Sequence, residues 1–375
     1  MNPLPLPYAH QWIDEHDIQA VVSVLRSDWL TTGPKVEEFE QAFAGYVGAR
    51  HAVAVSSGTA ALHTAMFALG IGHGDEVIVP PITFVATANA VVFQGGTPVF
   101  ADVEAGTLLM DPQQVQEKIT SRTKAIIAVD YAGQSCDYDA LHSIAKEHGL
   151  ALMADACHSL GGQYKGRKVG TLADLTVFSF HPVKHITTGE GGMIATDDPE
   201  LAERMRTFRN HGIDMDHTSR MKQGTWQYEM MELGYNYRIT DFQCALGLSQ
   251  LNKLTSFVQR RREIAEMYDR AFASIKGINP LHTPPEVMNS YHLYVIRVND
   301  RDQLFGQLRE KGIGVNVHYF PVHLQPYYQK TFETREGLCP VAENAYNHIL
   351  SLPMFPQMND NDIERVVTVI EEILN

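Results

Sequence analysis

Short apolar runs and helix-length amphipathic segments alternate along most of this chain. From His51 onward, His51–Ser56, Glu76–Val79, Thr97–Val103, Ala125–Val129, Ala151–Ala154, Leu175–Phe180 and Met193–Thr196 are strand-length and mostly apolar, and they read as strands. Most are too uniformly apolar for a sheet with one wet face. They predict an α/β fold in which crossover helices bury the sheet on both sides. Helices are predicted over Ala60–Leu69, stopped by Gly70, and over Asp139–His148, stopped by Gly149. Before the first strand, Ile13–Leu25 and Val36–Val47 carry apolar residues at helical spacing, among them Val36, Phe39, Phe43 and Val47.

The texture changes after residue 240. One helical stretch is predicted from about Thr240 to Ile275, and strand, helix and strand resume at His292–Val298, Arg301–Lys311 and Gly314–Tyr319. A last helix, entered through the polar Asn359–Asp362, sets Ile363, Val366, Val367, Ile370 and Leu374 on one face. The expected division is a large domain over residues 1–250 and a small C-terminal α/β domain over 251–375.

Chemistry gathers where strands end. In DLTVFSFHPVKHITTGEGG, from Asp174 to Gly192, a strand runs into a Pro-interrupted loop holding one lysine, Lys184. Ligands of open α/β sheets collect beyond the carboxyl ends of strands, and a desolvated lysine there forms Schiff bases with carbonyl compounds. Position alone favours a solvated surface lysine. Asp155 follows the strand in ALMADACHSLGG, where it could hold a cationic ring nitrogen or cap the next turn. In SSGTAA, Ser56–Ala61, amides and hydroxyls at a helix N-terminus make a phosphate cradle, although Gly58 also suits a tight turn for steric reasons alone.

Cradle, acid and lysine, in that chain order, resemble the large domain of fold-type I pyridoxal-phosphate (PLP) enzymes. Within them the sequence is similar to the DegT/DnrJ/EryC1 family of sugar aminotransferases over nearly its whole length. The likeness is carried by LTTGP at Leu30–Pro34, SSGTAALH, PPITFVATANA at Pro80–Ala90, DYAGQ at Asp130–Gln134, DACHSLGG, SFHPVKHITTGEGG, RNHGI at Arg209–Ile213 and GYNYRITDFQCALGLSQL at Gly234–Leu251. It implies the aspartate-aminotransferase-like fold, with a mostly parallel large-domain sheet. Lys184 becomes the Schiff-base lysine and Asp155 the partner of the pyridinium nitrogen. Phe84 becomes the platform stacked on the ring, and His158 the neighbour of its phenolic oxygen. Gly58, Thr59 and Ser179 take phosphate contacts, and Asn236 reaches the phosphate of the neighbouring subunit, so a homodimer with shared active sites is implied. Without the family, Phe84 reads as a core aromatic and His158 as a structural hydrogen-bonder.

The family chemistry runs in two halves. L-Glutamate gives its amino group to the cofactor, leaving pyridoxamine phosphate, and a keto sugar then receives it; the freed Lys184 amine moves the protons. ITFVATAN, VDYAGQS, the lysine segment and GYNYRITDFQCALGLSQL are most similar to enzymes that aminate C4 of UDP-linked 4-keto-6-deoxy-N-acetyl hexosamines in pseudaminic acid synthesis. Arg238, after the asparagine, favours that branch and is a candidate substrate contact, as are Tyr319 and His323 in HYFPVHLQPYY, which a strand end followed by a turn explains equally well. Other nucleotide keto sugars are alternatives, including those leading to 4-amino-arabinose or to 3-amino or 4-amino dideoxysugars. A non-catalytic PLP-binding regulator ranks below these, since no helix-turn-helix accompanies the cofactor residues. Sugar dehydratases of the family replace the lysine with histidine, and Lys184 stands against that reading. Loops such as Asp214–Gln227 carry no recognisable nucleotide code.

Composition narrows the partners further. A net charge of -14 disfavours nucleic acid, which needs clustered Lys and Arg. Four scattered cysteines without a CxxC pair predict reduced thiols, and 17 histidines without HExxH predict no metal site. With no leader-like N-terminus and no apolar run of spanning length, a cytoplasmic enzyme is expected, with no membrane partner.

Overall fold

The computed structural model describes residues 5–215, 220–221 and 224–374. The predicted runs form a seven-stranded sheet: His51–Val55 (β1), Glu76–Val79 (β2), Thr97–Phe100 (β3), Thr123–Val129 (β4), Ala151–Asp155 (β5), Leu175–Ser179 (β6) and Gly192–Thr196 (β7). Their spatial order is β1-β7-β6-β5-β4-β2-β3. All but β7 run the same way; β7 lies antiparallel between β1 and β6, with Val55 and Ser179 both opposite Gly192. Burial explains the apolar runs, because every residue of β2 and β7 is buried, as is all but the first of β1 and β5.

Helices cover both faces. Glu15–Leu25 (α1) begins with a capping box at Asp14, and Pro34–Val47 (α2) ends at Gly48 in the left-handed conformation. Gly58–Ala68 (α3) is capped by Ser57 and follows β1 directly, while Ala86–Phe93 (α4) follows β2. Under the sheet, Phe39 and Phe43 of α2 meet Phe178 and Phe180, with Phe180 centred 5.3 and 5.6 Å from the two α2 rings. Phe180 opens the loop that carries Lys184, so this cluster pins one end of it; deleting such a ring costs about 3–5 kcal/mol.

The long helix predicted from Thr240 is two helices, Asp241–Leu251 (α5) and Leu254–Phe272 (α6). The break falls where the Lys253 amide turns back to the Gln250 carbonyl and its ammonium pairs with Asp14 and Asp17 at the start of α1. Asn279–Pro280 (β8), Tyr294–Arg297 (β9) and Ile349–Leu352 (β10) form a small antiparallel sheet, and Asp360–Leu374 is the final helix. Gly314–Tyr319, expected as a strand, forms isolated bridges instead, from Ile313 to Leu6 at its start and from Asn316 to Ser351. The incoming N-terminal segment takes up part of its edge, with Gly314 N donating to Leu6 O at 2.7 Å.

Two hydrophobic cores result. The larger surrounds the seven-stranded sheet and draws in Leu254, Val258 and Val322 from the C-terminal part. The smaller joins Leu6, Ile264, Tyr268, Ile296, Leu350 and Ile370.

Candidate active site

Three strand ends and one helix start converge at the carboxyl edge of the large sheet. Because β6 and β7 are antiparallel neighbours, residues 180–191 between them close on themselves. Phe180 N donates to Gly191 O at 2.9 Å, Thr188 N to Phe180 O at 3.1 Å, and Lys184 N to His181 O at 2.9 Å. Lys184 stands at the tip of this loop. Although the residue as a whole is only partly buried, burial of its amine pushes the pKa below the ordinary lysine value, against the pull of Cys157 and Asp155. Lys165 and Lys168 differ, lying exposed with their ammonium groups on Asp139 and the Tyr46 carbonyl.

Asp155 ends β5. The Thr87 hydroxyl, in the first turn of α4, donates to its Oδ2 at 2.7 Å, and Cys157 N donates to Oδ1 at 3.3 Å. Thr83 Oγ1 lies 2.7 Å from that of Thr87 and continues the chain. Among the described residues no lysine or arginine pairs with Asp155, and this buried carboxylate is steered by a hydroxyl and an amide.

The cradle is tightly built. A Cβ on Gly58 would stand 2.8 Å from Ser179 Cβ and 3.0 Å from its Oγ; one on Gly192 would stand 2.5 Å from Ser57 O. Glycine at both positions lets the first turn of α3 sit directly over the end of β6, with the Thr59 side exposed. Phe84, in the loop before α4, is 57% exposed, and its ring centre is 6.1 Å from that of Tyr319. Tyr319 Oη in turn lies 3.1 Å from His158 Nε2. Burial drives His158 well below the ordinary histidine range, so it is neutral.

The structure thus gathers Lys184, Asp155, His158, Phe84, Tyr319, Gly58, Thr59 and Ser179 at one edge. Asn236 is exposed, its backbone bridged to Asn210, to whose side chain Arg238 donates at 2.8 Å. His323 lies apart, fully buried and 2.8 Å from Glu343. Part of Asp214–Gln227, residues 216–219 and 222–223, lies outside the described residues. Sequence reasoning missed Thr87 and His292, whose Nε2 is 3.4 Å from Lys184 Nζ. Thr87 stands inside ITFVATANA and was within reach of the motif; His292 is 108 positions from the lysine and leaves no local signal.

These residues fit pyridoxal phosphate: a desolvated amine for its aldehyde, an unpaired carboxylate for its ring nitrogen, a close-packed helix start for its phosphate and an exposed ring for its face. The chain matches the DegT/DnrJ/EryC1/StrS aminotransferase family over residues 11–371. It is 44% identical to the spore coat polysaccharide biosynthesis protein SpsC of Bacillus subtilis (strain 168), over 98% of this chain and 97% of that one. Among solved structures it resembles the PMP form of the putative sugar aminotransferase Spr1654 from Streptococcus pneumoniae, with a TM-score of 0.93 and 34% identity over 98% of both chains. Helicobacter pylori PseC, an aminotransferase of pseudaminic acid biosynthesis, superposes with a TM-score of 0.92 and 35% identity over 99% of both chains. The chain therefore belongs to the DegT/DnrJ/EryC1/StrS family and is a PLP-dependent sugar aminotransferase.

Proposed function

We propose that this cytoplasmic enzyme moves the amino group of L-glutamate to C4 of a UDP-linked 4-keto-6-deoxy-N-acetyl hexosamine, and that it works as a homodimer with shared active sites. The observation that carries the transaminase chemistry is the desolvated Lys184 amine facing the same sheet edge as Asp155. Pyridoxal phosphate supplies the electron sink for the carbanion that develops at the donor α-carbon. Asp155 would partner the ring nitrogen. Gly58, Thr59 and Ser179 would hold the phosphate, Phe84 would cover one ring face, and His158 would stand by the phenolic oxygen. Lys184 would anchor the cofactor and, once displaced, would be the amine that takes the α-proton; burial lowers its pKa and so favours the form that carries a free lone pair.

The sugar rests on a narrower base. The motif segments that resemble the pseudaminic branch, together with the likeness to PseC, support the C4 assignment. The higher identity to SpsC favours a second reading, another nucleotide-linked keto sugar destined for a surface polysaccharide. Tyr319 and Arg238 are the residues we would place against the sugar nucleotide, and His323, held on Glu343, would act only through the fold around it. We also divide the chain into a cofactor domain over 1–250 and a small domain over 251–375, supported by the second core.

Two measurements test the assignment. Borohydride reduction of the yellow holoenzyme is expected to fix the cofactor on Lys184, and an adduct on Lys165 or Lys168 would reject the site. With glutamate and a panel of nucleotide-linked 3-keto and 4-keto sugars, turnover is expected on the UDP-linked 4-keto-6-deoxy-N-acetyl hexosamine. Activity confined to 3-keto sugars rejects the C4 reading.

A further inference from the structure

His292 reaches the lysine from the other end of the chain. It lies two residues before β9, and its Nε2 is 3.4 Å from Lys184 Nζ. The segment around it is fastened on several sides. Buried Arg261 of α6 donates from Nη1 to the carbonyls of Tyr291, His292 and Met354 at 3.2, 3.3 and 2.9 Å. Ser290 N donates to Gly133 O at 3.1 Å, and the Ser290 hydroxyl to His158 O at 3.2 Å. Gly133 comes so close that a Cβ there would stand 2.9 Å from His292 N. His185, next to the lysine, has Nε2 3.2 Å from Ser290 O. The backbone that carries the imidazole is therefore fixed by contacts to three other segments of the site.

The charge of a neighbour decides what it does to an amine. A carboxylate at this distance would hold Nζ as an ammonium, which has no lone pair to take a proton. A neutral imidazole fixes direction without that bias. Burial pushes the His292 pKa well below its ordinary value, and Lys184, His158, His185 and Arg261 push the same way. The groups facing the amine are Asp155 and Cys157 from the end of β5, His158 and His318 across the pocket, His185 from its own loop and Arg261 from α6. Of these only Asp155 carries negative charge, and Thr87 and Cys157 hold its oxygens.

We propose that His292 is a positioning residue for transamination, orienting the free Lys184 amine while leaving its lone pair open to the donor's proton. This rests on the reading of Lys184 as the cofactor-bearing lysine.

Two readouts test it. In cofactor-free protein, the pH dependence of Lys184 modification by an amine-reactive reagent, followed by mass spectrometry, reports the state of the amine directly. In the holoenzyme, the glutamate half-reaction is followed through the cofactor absorbance in a single turnover. His292→Glu is expected to raise the labelling midpoint by about one pH unit or more, and to move the acid limb of the half-reaction up with it. His292→Leu keeps the site dry but loses the bond; its labelling midpoint stays low while the half-reaction slows roughly 10- to 100-fold at unchanged cofactor content, with the glutamate KM within about threefold. His292→Gln, neutral and able to bond, stays near wild type in both, which keeps the test informative if the Glu variant fails to fold. Unmoved midpoints in His292→Glu, wild-type turnover in His292→Leu, or a loss in His292→Gln as large as that in His292→Leu overturns the inference. A wild-type borohydride adduct on another lysine instead overturns the reading of Lys184 on which it stands.

Discussion

At the scale of single residues, the site shows how a buried carboxylate is aimed without being neutralised. Pairing Asp155 with an arginine would satisfy its charge and remove it from chemistry; a hydroxyl and an amide satisfy its lone pairs and leave the charge. Thr87 is the side chain that does this, at 2.7 Å. Thr87→Val keeps the shape and deletes the donor, leaving a buried oxygen of a charged group without its partner. A hydrogen bond to a charged group contributes about 1.5–3 kcal/mol, so the cofactor-free variant is expected to melt several degrees below wild type. Thr87→Ser, which retains the hydroxyl, should recover more than half of the difference. Calorimetry on the cofactor-free proteins reads this, and a Ser variant that melts below the Val variant would show that packing of the threonine methyl, rather than the bond to Asp155, is what matters.

At the scale of elements, the cradle depends on one close approach, the first turn of α3 over the end of β6. Gly58→Ala puts a methyl 2.8 Å from Ser179 Cβ, so one of the two elements must move, at a cost of about 1–3 kcal/mol. If the phosphate binds between them, titration of cofactor-free Gly58→Ala with PLP should show affinity lowered roughly tenfold or more; an unchanged affinity would place the phosphate elsewhere. This geometry was half legible in the sequence. The strands could be read because uniform apolar runs are what a doubly covered sheet demands, and Lys184 and Asp155 stood at their ends. The antiparallel course of β7 could have been read too: no helix separates β6 from β7, and a parallel neighbour needs a crossover. The break at Asn252–Lys253 was not legible, because it is set by the pairing of Lys253 with Asp14 and Asp17, far away along the chain. His292 was hidden for the same reason, since a contact spanning 108 positions imposes no local periodicity.

At the scale of the whole molecule, one surface is unlike the rest. Between residues 226 and 235, Trp226 (82% exposed), Tyr228, Met230, Met231, Leu233 (74% exposed) and Tyr235 all face outward, immediately before exposed Asn236. Apolar area concentrated this way on one segment marks an interaction surface. A second copy of the chain is the partner we propose for it, with Asn236 of each copy completing the other's phosphate site. Leu233→Asp would place a charge in that interface and is expected to shift the protein from dimer to monomer by light scattering, with loss of cofactor. Complementation then separates a shared site from a merely paired one. Lys184→Ala and Asn236→Ala should each be nearly inactive, the first for want of the amine and the second for want of the phosphate contact. Co-expressed in equal amounts, they assemble at random. If the two residues serve sites in different subunits, each mixed dimer holds one intact site and one doubly defective site. Half of the dimers are mixed, so about a quarter of wild-type activity returns. If both residues serve the same subunit's site, every site in every dimer carries one defect and no activity returns.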